Sequence, residues 1–178
     1  MLVRRYFALG IAVCMLAMGN RIGAEEKPAG AVAGWFLSVN SFGPIKIGMT
    51  LDDAEKILKF FLNPDRDVYP GECHYVINKK RLPGLLFMLV GGKIVRIDVT
   101  AEHYQTDVGA RVGMTEEQIK KLYPEGEVSP DPYRPGGQRV SVYDKNKQYG
   151  MIFSTEGNVV KSIRIGQYNE VRWIESCE

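Results

Sequence analysis

The chain has 178 residues, of which 45% are hydrophobic and 25% charged, and its formal net charge is +2 at pH 7. This apolar content excludes a disordered protein, and no apolar run reaches the roughly 18 residues that span a membrane. A charge so close to zero argues against a nucleic-acid-binding protein. The composition predicts a soluble globular protein of one domain or two small ones.

The first 24 residues have the order of a secretory signal peptide. Two arginines precede an apolar run from Tyr6 to Met18, and residues 19–24 are small and polar. Cleavage after Gly19 or after Ala24 leaves 21 or 20 basic residues against 21 acidic ones. We therefore predict a nearly neutral mature chain without a transmembrane segment, located in the periplasm or outside the cell.

The cysteines indicate a disulfide. Cys14 leaves with the signal, and Cys73 and Cys177 remain in a chain bound for an oxidising compartment. We predict that these two pair and link the carboxyl-terminal tail to the first half of the chain. In the rival interpretation Cys73 is a nucleophile and His74 is its base, but adjacent residues on a strand point to opposite faces.

One pattern occurs twice in the chain. Residues 47–50 (Ile-Gly-Met-Thr) recur 65 positions later as residues 112–115 (Val-Gly-Met-Thr), and residues 67–71 are echoed by residues 131–136. Further matches fall at an offset of 66, and they join Leu85, Phe87, Ile94, Ile97 and Val99 to Met151, Phe153, Val160, Ile163 and Ile165. These three sets of matches have nearly the same offset and occur in the same order, which predicts a tandem duplication.

The duplication suggests a division of the chain. The signal peptide, residues 1–24, is followed by a flexible tether over residues 25–34, which are rich in Ala, Gly and charge. Repeat unit 1 covers residues 35–108. Repeat unit 2 covers residues 109–178 and ends in a strand from Glu170 to Ile174.

Each unit is predicted to contain a helix followed by an antiparallel meander. Thr50 and Thr115 are the expected helix caps, supported by Asp53 and Gln118 three residues later. The apolar stripe of the first helix consists of Leu51, Ala54, Ile57, Leu58, Phe61 and Leu62. The predicted strands lie near residues 73–78, 85–90, 93–100, 138–143, 150–154 and 159–165. This is an α+β fold, with one curved sheet of about six to eight strands, helices on one face and the other face open to solvent.

The two Gly-Met-Thr segments, each before a short helix and a three-strand meander, resemble the tandem-repeat fold of the secreted β-lactamase inhibitor proteins. Each unit is similar to the small lipoprotein of the outer-membrane β-barrel assembly machinery, and the chain also resembles a group of uncharacterised bacterial secreted proteins. The resemblance covers roughly residues 44–168 and implies a module that binds protein with its sheet face and loops. The inhibitors close a disulfide within each repeat, whereas the body of the second unit has no cysteine here.

The paired loops are the first candidate contact surface. Residues 63–72 and 129–137 both contain Asp-x-Tyr and Pro-Gly, so Tyr69 and Tyr133 are expected at related rims of the sheet. Tyrosine and arginine are common interface hot spots, which adds Arg134 to the surface. In the alternative, both tyrosines pack on the sheet and the Pro-Gly pairs only form turns.

Arg96 and Asp98 are the second candidate. They lie two apart on a predicted strand, opposite the side of Ile97 and Val99, and therefore point from the open face. They form either a solvated ion pair worth less than about 1 kcal/mol or part of a partner-binding surface.

The sequence predicts no catalytic residue, metal site or cofactor, because no known catalytic motif surrounds its histidines or cysteines. We therefore expect an exported interaction module of an inhibitor or immunity type, whose partner is another protein of the cell envelope. The alternative is a small-ligand-binding or envelope-scaffold protein, and a less favoured one is an enzyme that uses Cys73 or His103.

Overall fold

The computed structural model of the chain describes residues 32–64, 73–173 and 177. Its helices are α1 (Leu51–Leu58), α2 (Glu116–Leu122) and α3 (Tyr168–Arg172). Its strands are β1 (Leu37–Ser38), β2 (Ser41–Phe42), β3 (Ile45–Lys46), β4 (Asn63–Pro64), β5 (Cys73–Ile77), β6 (Leu85–Val90), β7 (Lys93–Val99), β8 (Glu127–Pro130), β9 (Gln138–Tyr143), β10 (Tyr149–Glu156) and β11 (Val159–Gln167). The predicted α+β class is confirmed. The signal peptide and residues 25–31 of the tether lie outside the described residues.

Strands β4 to β11 form one antiparallel sheet in the order β4-β5-β6-β7-β11-β10-β9-β8. This order places β7 and β11 side by side at the centre of the sheet. From β7 outward come β6, β5 and β4, and from β11 outward come β10, β9 and β8. In the central pair, Ile97 lies opposite Ile165 and Asp98 lies opposite Arg164. The eight strands agree with the expected six to eight.

The core lies between this sheet and the helices α1 and α2. Ala54 and Leu58 of α1 and Ile119 of α2 are fully buried. They pack in one cluster with alternate side chains of the strands, which include Val76, Phe87, Ile97, Val99, Val140, Phe153, Ile163 and Ile165. A helix stripe and a period-two strand pattern bury their apolar sides against each other, as the sequence predicts.

The Gly-Met-Thr segments join each helix to the sheet in the same way. Gly48 and Gly113 have φ values of 91° and 89°, which favour glycine. The amide of Gly48 donates to the carbonyl oxygen of Ile94 at 2.7 Å, and that of Gly113 donates to Val160 at 2.9 Å. Each helix therefore starts at a fixed point against a central strand.

Both helices begin at the predicted threonine. The amide of Asp53 donates to Thr50 Oγ1 at 3.3 Å, and that of Gln118 donates to Thr115 Oγ1 at 3.2 Å. Gln118 also returns a bond, because its Oε1 accepts from the amide of Thr115 at 2.8 Å. The second helix thus has a complete capping box, as expected.

The segment before α1 forms a small sheet of its own, β1-β2-β3. Phe42 is fully buried in the core, and its ring meets those of Trp35 and Tyr104 at centroid distances of 5.4 and 5.5 Å. Val32 also packs in this core, although it belongs to the predicted flexible tether. The ordered body therefore includes at least this last part of the predicted tether.

Two local predictions are wrong. Phe61 does not continue the buried stripe of α1, because the helix ends at Leu58 and the left-handed residue Lys59 turns the chain away. The Phe61 side chain is exposed. The segment from Glu170 to Ile174 is not a strand in its described part, because α3 covers Tyr168–Arg172.

Cys73 and Cys177 form the predicted disulfide, with their Cα atoms 5.3 Å apart. The bond fixes the carboxyl-terminal end of the chain to β5, the second strand from one edge of the sheet. Among the described residues, none of the helices is long and apolar enough to cross a membrane.

Candidate functional site on the tail face of the sheet

One face of the main sheet packs on α1 and α2, and the opposite face carries α3. We call the second one the tail face. α3 contacts β7, β10 and β11 there, and Arg96 on β7 donates hydrogen bonds to the carbonyl oxygens of Glu170 and Trp173. The expectation that this face is open to solvent is therefore wrong for the central strands.

The tail, defined as residues 168–173 together with Cys177, crosses the strands. Its first ring, Tyr168, lies against Tyr143 of β9 with the ring centroids 5.1 Å apart. Its other end, Cys177, is bonded to Cys73 of β5. Since β9 and β5 are the second strands from opposite edges of the sheet, the tail bridges most of the sheet's width.

Two glycines lie on the strands β10 and β11, where α3 packs. Gly150 of β10 and Gly166 of β11 are cross-strand partners, and Gly166 is paired on its other side with Arg96. A Cβ atom on Gly166 would lie 2.5 Å from the carbonyl oxygen of Val95. The glycine therefore permits the close approach of β11 to β7, and Val171 of α3 is fully buried over this part of the fold.

Three charged side chains form a linked group at the centre of the tail face. Arg96 Nε lies 3.0 Å from Asp98 Oδ2, and Arg164 Nε lies 3.2 Å from Asp98 Oδ1. Arg96 is only 1% exposed, and the other two side chains are largely buried. We call these three residues the guanidinium cluster. One carboxylate is shared by two guanidinium groups, which leaves an excess of positive charge.

The two arginines of the cluster donate hydrogen bonds to the tail. Arg96 Nη1 donates to Glu170 O at 3.0 Å and to Trp173 O at 3.3 Å, and Arg164 Nη1 donates to Trp173 O at 2.8 Å. The last carbonyl groups of a helix lack partners within the helix, and a cation near them is favourable. The guanidinium cluster therefore holds the carboxyl-terminal end of α3.

Tyr75 on β5 borders the cluster, and its phenol oxygen accepts a hydrogen bond from Arg96 Nη2. Burial, together with the negative charge of Asp98, raises the pKa of Tyr75 to about 12. Burial also lowers the pKa of the Arg164 guanidinium, although Asp98 opposes this change. At neutral pH the phenol is therefore uncharged, while arginine keeps its charge in proteins.

The structure corrects the assignment of Arg96 as a surface contact. A side chain that is almost fully covered by the tail and by Tyr75 touches no partner while the tail is in place. Asp98 is likewise committed to its two arginines. In this state both residues anchor the tail, and neither of the two interpretations of the sequence included that role.

A second polar site lies between β8 and β9. The Tyr133 loop, residues 131–137, is closed by a bond from the amide of Asp131 to the carbonyl oxygen of Gly137 at 2.9 Å. Asp131 Oδ1 accepts from the amide of Tyr133 at 3.0 Å. The Asp131 side chain is 2% exposed, whereas Tyr133 is 59% exposed. A buried carboxylate thus fixes the loop and leaves the tyrosine ring at the surface.

Two arginines surround the same carboxylate. Arg134 Nη1 and Arg139 Nε each lie 3.5 Å from Asp131 Oδ2. Burial alone would raise the pKa of Asp131. The amide of Tyr133, the charges of Arg139 and Arg134 and the hydroxyl of Ser154 together outweigh burial, so the pKa lies below its usual value. At this site two guanidinium groups therefore face one carboxylate, as they do in the guanidinium cluster.

Tyr69, the predicted counterpart of Tyr133, lies outside the described residues. Tyr75, Arg139 and Arg164 are not among the residues predicted from the sequence. A signal for Arg164 was present, because it lies 66 positions after Asp98, which is the offset of the predicted duplication.

Across the described residues, no three side chains of His, Cys, Asp or Glu come close enough to hold a metal ion.

A surface cavity of about 350 Å³ opens between the start of α1 and the strands. Its lining includes Thr50, Leu51, Asp52, His74, Leu89 and Gly92. His74 therefore faces a recess at the first turn of α1. The cavity lies on the helix side of the sheet, apart from the tail face.

Comparison with protein-family models, curated proteins and solved structures finds no match to the chain.

Proposed function

We propose that the protein is an exported protein-interaction module of an inhibitor or immunity type, which binds another protein of the cell envelope. The contact surface is the Tyr133 loop together with the part of the tail face that the tail leaves uncovered, and Tyr69 is its expected counterpart. The observation that carries this proposal is the exposed Tyr133 ring on a loop whose backbone is fixed by a buried carboxylate.

A loop of this kind is well suited to binding. Ordering a flexible loop on association costs free energy, and a loop already held by Asp131 loses less conformational entropy. Tyrosine and arginine contribute strongly at interfaces, since they bury large areas and also form hydrogen bonds. Tyr133 and the part-exposed Arg134 stand next to each other on such a loop.

The charge of the surface favours an acidic region on the partner. Arg134 on the loop and Arg139 on β9 give this surface two guanidinium groups against the single carboxylate of Asp131. Complementary charge raises the association rate and selects among partners. The near-neutral net charge of the whole chain conceals this local excess.

We also infer that the chain arose by tandem duplication, which gives the surface two related halves. The support is positional. Thr50 and Lys93 form an isolated bridge, and so do Thr115 and Val159, at offsets of 65 and 66. The turn residues Gly91 and Gly157 have φ values of 56° and 57°. Equivalent positions that adopt equivalent conformations are expected of repeated units.

Export is supported by the arrangement of the first 24 residues and by the disulfide. Disulfides persist in oxidising compartments and are rare in the cytosol. Mass spectrometry of the secreted form tests this part of the proposal. The expected species begins after Gly19 or after Ala24 and carries no free thiol.

Capture of a partner from periplasmic extract tests the contact surface. The oxidised protein is the bait, and the Tyr69→Ala/Tyr133→Ala and Arg134→Ala variants are compared with wild type. Phe36→Ala, which removes another exposed aromatic side chain, is the matched control. We expect a captured band that weakens by about tenfold or more in the loop variants and stays in the control. Undiminished capture by the tyrosine double variant would show that the tyrosine loops do not form the contact surface.

A small-ligand-binding function is the second candidate, and the cavity beside His74 is the observation that favours it. Thermal-shift screening with lipids and cell-wall fragments tests this function, because a ligand that binds only the folded state raises the melting temperature. A rise in melting temperature that His74→Ala abolishes would support ligand binding in the cavity over protein binding by the Tyr133 loop.

A further inference from the structure

We propose that the tail is a redox-controlled strap. With the Cys73–Cys177 disulfide closed, the tail covers the guanidinium cluster. Reduction of the disulfide by a dithiol releases the tail and exposes that cluster as a binding surface for peptide carbonyl or carboxylate oxygens. Only the use of the uncovered surface rests on the proposed function, because the release itself is a property of this chain.

The helix in the tail is weak by itself. α3 has five residues, and Gln167 at its start makes no side-chain capping bond. Short helices are unstable in isolation, because the first turn fixes several residues for few hydrogen bonds. Trp173, which ends the described part of the helix region, is 42% exposed. The docked position of the tail therefore depends on its attachments.

Those attachments are the packing of Val171 and of the Tyr168 ring, a set of hydrogen bonds and one covalent bond. The bonds from Arg96 and Arg164 to the carbonyl oxygens of Glu170 and Trp173 hold one part of the tail. The disulfide holds Cys177 to β5. A covalent link keeps the tail at a high effective concentration over the sheet, and this advantage disappears when the link is cut.

The guanidinium cluster beneath the tail is held together without contacts to the tail. Asp98 keeps both arginines in place through ion pairs that do not involve α3. The main core lies on the opposite face of the sheet. Several buried apolar side chains do not belong to that core, namely Met88, Val95, Ile152 and Val171. Release of the tail therefore removes a separate layer and leaves the α1 and α2 packing intact.

The chemical step is thiol–disulfide exchange. The Cys73–Cys177 bond breaks and takes up two electrons and two protons, and the dithiol reductant is converted to its own disulfide. After release, the Arg96 and Arg164 donors that bonded to the tail are free. Guanidinium groups bind carboxylates and carbonyl oxygens well, so these donors become the contact points for an acidic partner segment.

Arginine-selective labelling tests the strap on the full-length oxidised protein. Phenylglyoxal is added before and after reduction with dithiothreitol, and labelled residues are mapped by mass spectrometry. We expect Arg96 labelling to rise by about tenfold or more, because labelling follows the population of the open form. Arg111, which is exposed in the folded state, is the matched control and should label equally in both samples.

A second variant keeps the test independent of the reductant. Cys73→Ser/Cys177→Ser should label Arg96 without dithiothreitol as fast as the reduced wild type does. The fold is monitored in a Trp173→Phe background through the emission of Trp35, which packs on Phe42 in the main core. This emission should stay unchanged while Arg96 becomes reactive.

Two results overturn the strap. In the first, Arg96 stays unreactive in a protein with two free thiols, which shows that the disulfide does not control the tail. In the second, Arg96 becomes reactive only when the Trp35 emission also shifts, which shows that the disulfide holds the whole fold. Neither result depends on a partner, so failed partner capture with successful labelling refutes the proposed function and leaves the strap.

Discussion

Asp98 and Arg164 lie directly opposite each other on the two central strands, and their side chains join across the middle of the sheet with Oδ1 and Nε 3.2 Å apart. They are 66 positions apart in the chain. The same offset relates the apolar positions of β7 and β11, so the two residues occupy matching positions in the tandem duplication that we propose. One half supplies the carboxylate and the other the guanidinium group.

Asp98→Asn should be strongly destabilising. The substitution keeps the shape of the side chain but leaves Arg96 and Arg164 buried without their counter-ion. Removal of one partner from a buried ion pair typically costs about 3–5 kcal/mol. Denaturant unfolding at pH 7, with the free energy extrapolated to water, measures this loss.

Asp53→Asn is the control for that experiment. Asp53 forms an ion pair of similar length with Lys56, 3.0 Å, but both side chains are exposed. Exposed pairs contribute little because water and salt screen them. Equal losses for the two variants would contradict the central role of Asp98.

Gly166→Ala should separate the central strands. The added Cβ would lie 2.5 Å from Val95 O and 3.0 Å from the Cα of Arg96, and neither backbone atom can move without disturbing the sheet. We expect a loss of about 1–3 kcal/mol in the free energy of unfolding, which is the usual cost of overpacking. Ser162→Ala, on the same strand, should change stability by less than about 0.5 kcal/mol. Thermal unfolding of the two variants side by side decides between these outcomes.

The two threonine caps should contribute nearly equally. Thr50→Ala and Thr115→Ala each remove the oxygen that accepts a first-turn amide, which costs about 1 kcal/mol of stability. Thr→Ser at either position keeps the oxygen and should restore most of the loss. A cap whose alanine and serine variants are equally stable makes no capping contribution. Chemical denaturation of all four variants provides the measurement.

The local elements could be predicted from the sequence because their signals are local. Thr115 and Gln118 form a capping box three residues apart, and Gly91-Gly92 forms the turn between two strands with the expected boundaries. The disulfide could be predicted by counting the cysteines of a chain that its first residues predict to be exported. Each of these features depends on residues that are close in sequence or on a small set of possible pairs.

The candidate site could not be predicted in the same way. The alternation of β7 placed Arg96 correctly on the side away from Ile97, but it carried no information about what covers that side. The cover is α3, more than 70 residues later, and a five-residue helix has too few apolar positions to distinguish it from a strand. The exposure of Arg96 therefore depends on tertiary packing, which the pattern of β7 does not show.

Acid should loosen the Tyr133 loop through Asp131. A carboxyl group whose pKa is lower in the folded state contributes stability that is fully present above its unfolded pKa, about 4. That stability is lost as the pH falls from there through the folded pKa. Asp131→Asn should therefore be less stable than wild type at pH 7 and should lose less stability between pH 5 and pH 2, about the titration range of a carboxyl group. Tyr133→Ala is the control, because it keeps the amide that Asp131 accepts from and should retain the wild-type pH dependence. Unfolding free energies across this range give the result, and parallel curves for wild type and Asp131→Asn would exclude Asp131 as the group that fixes the loop.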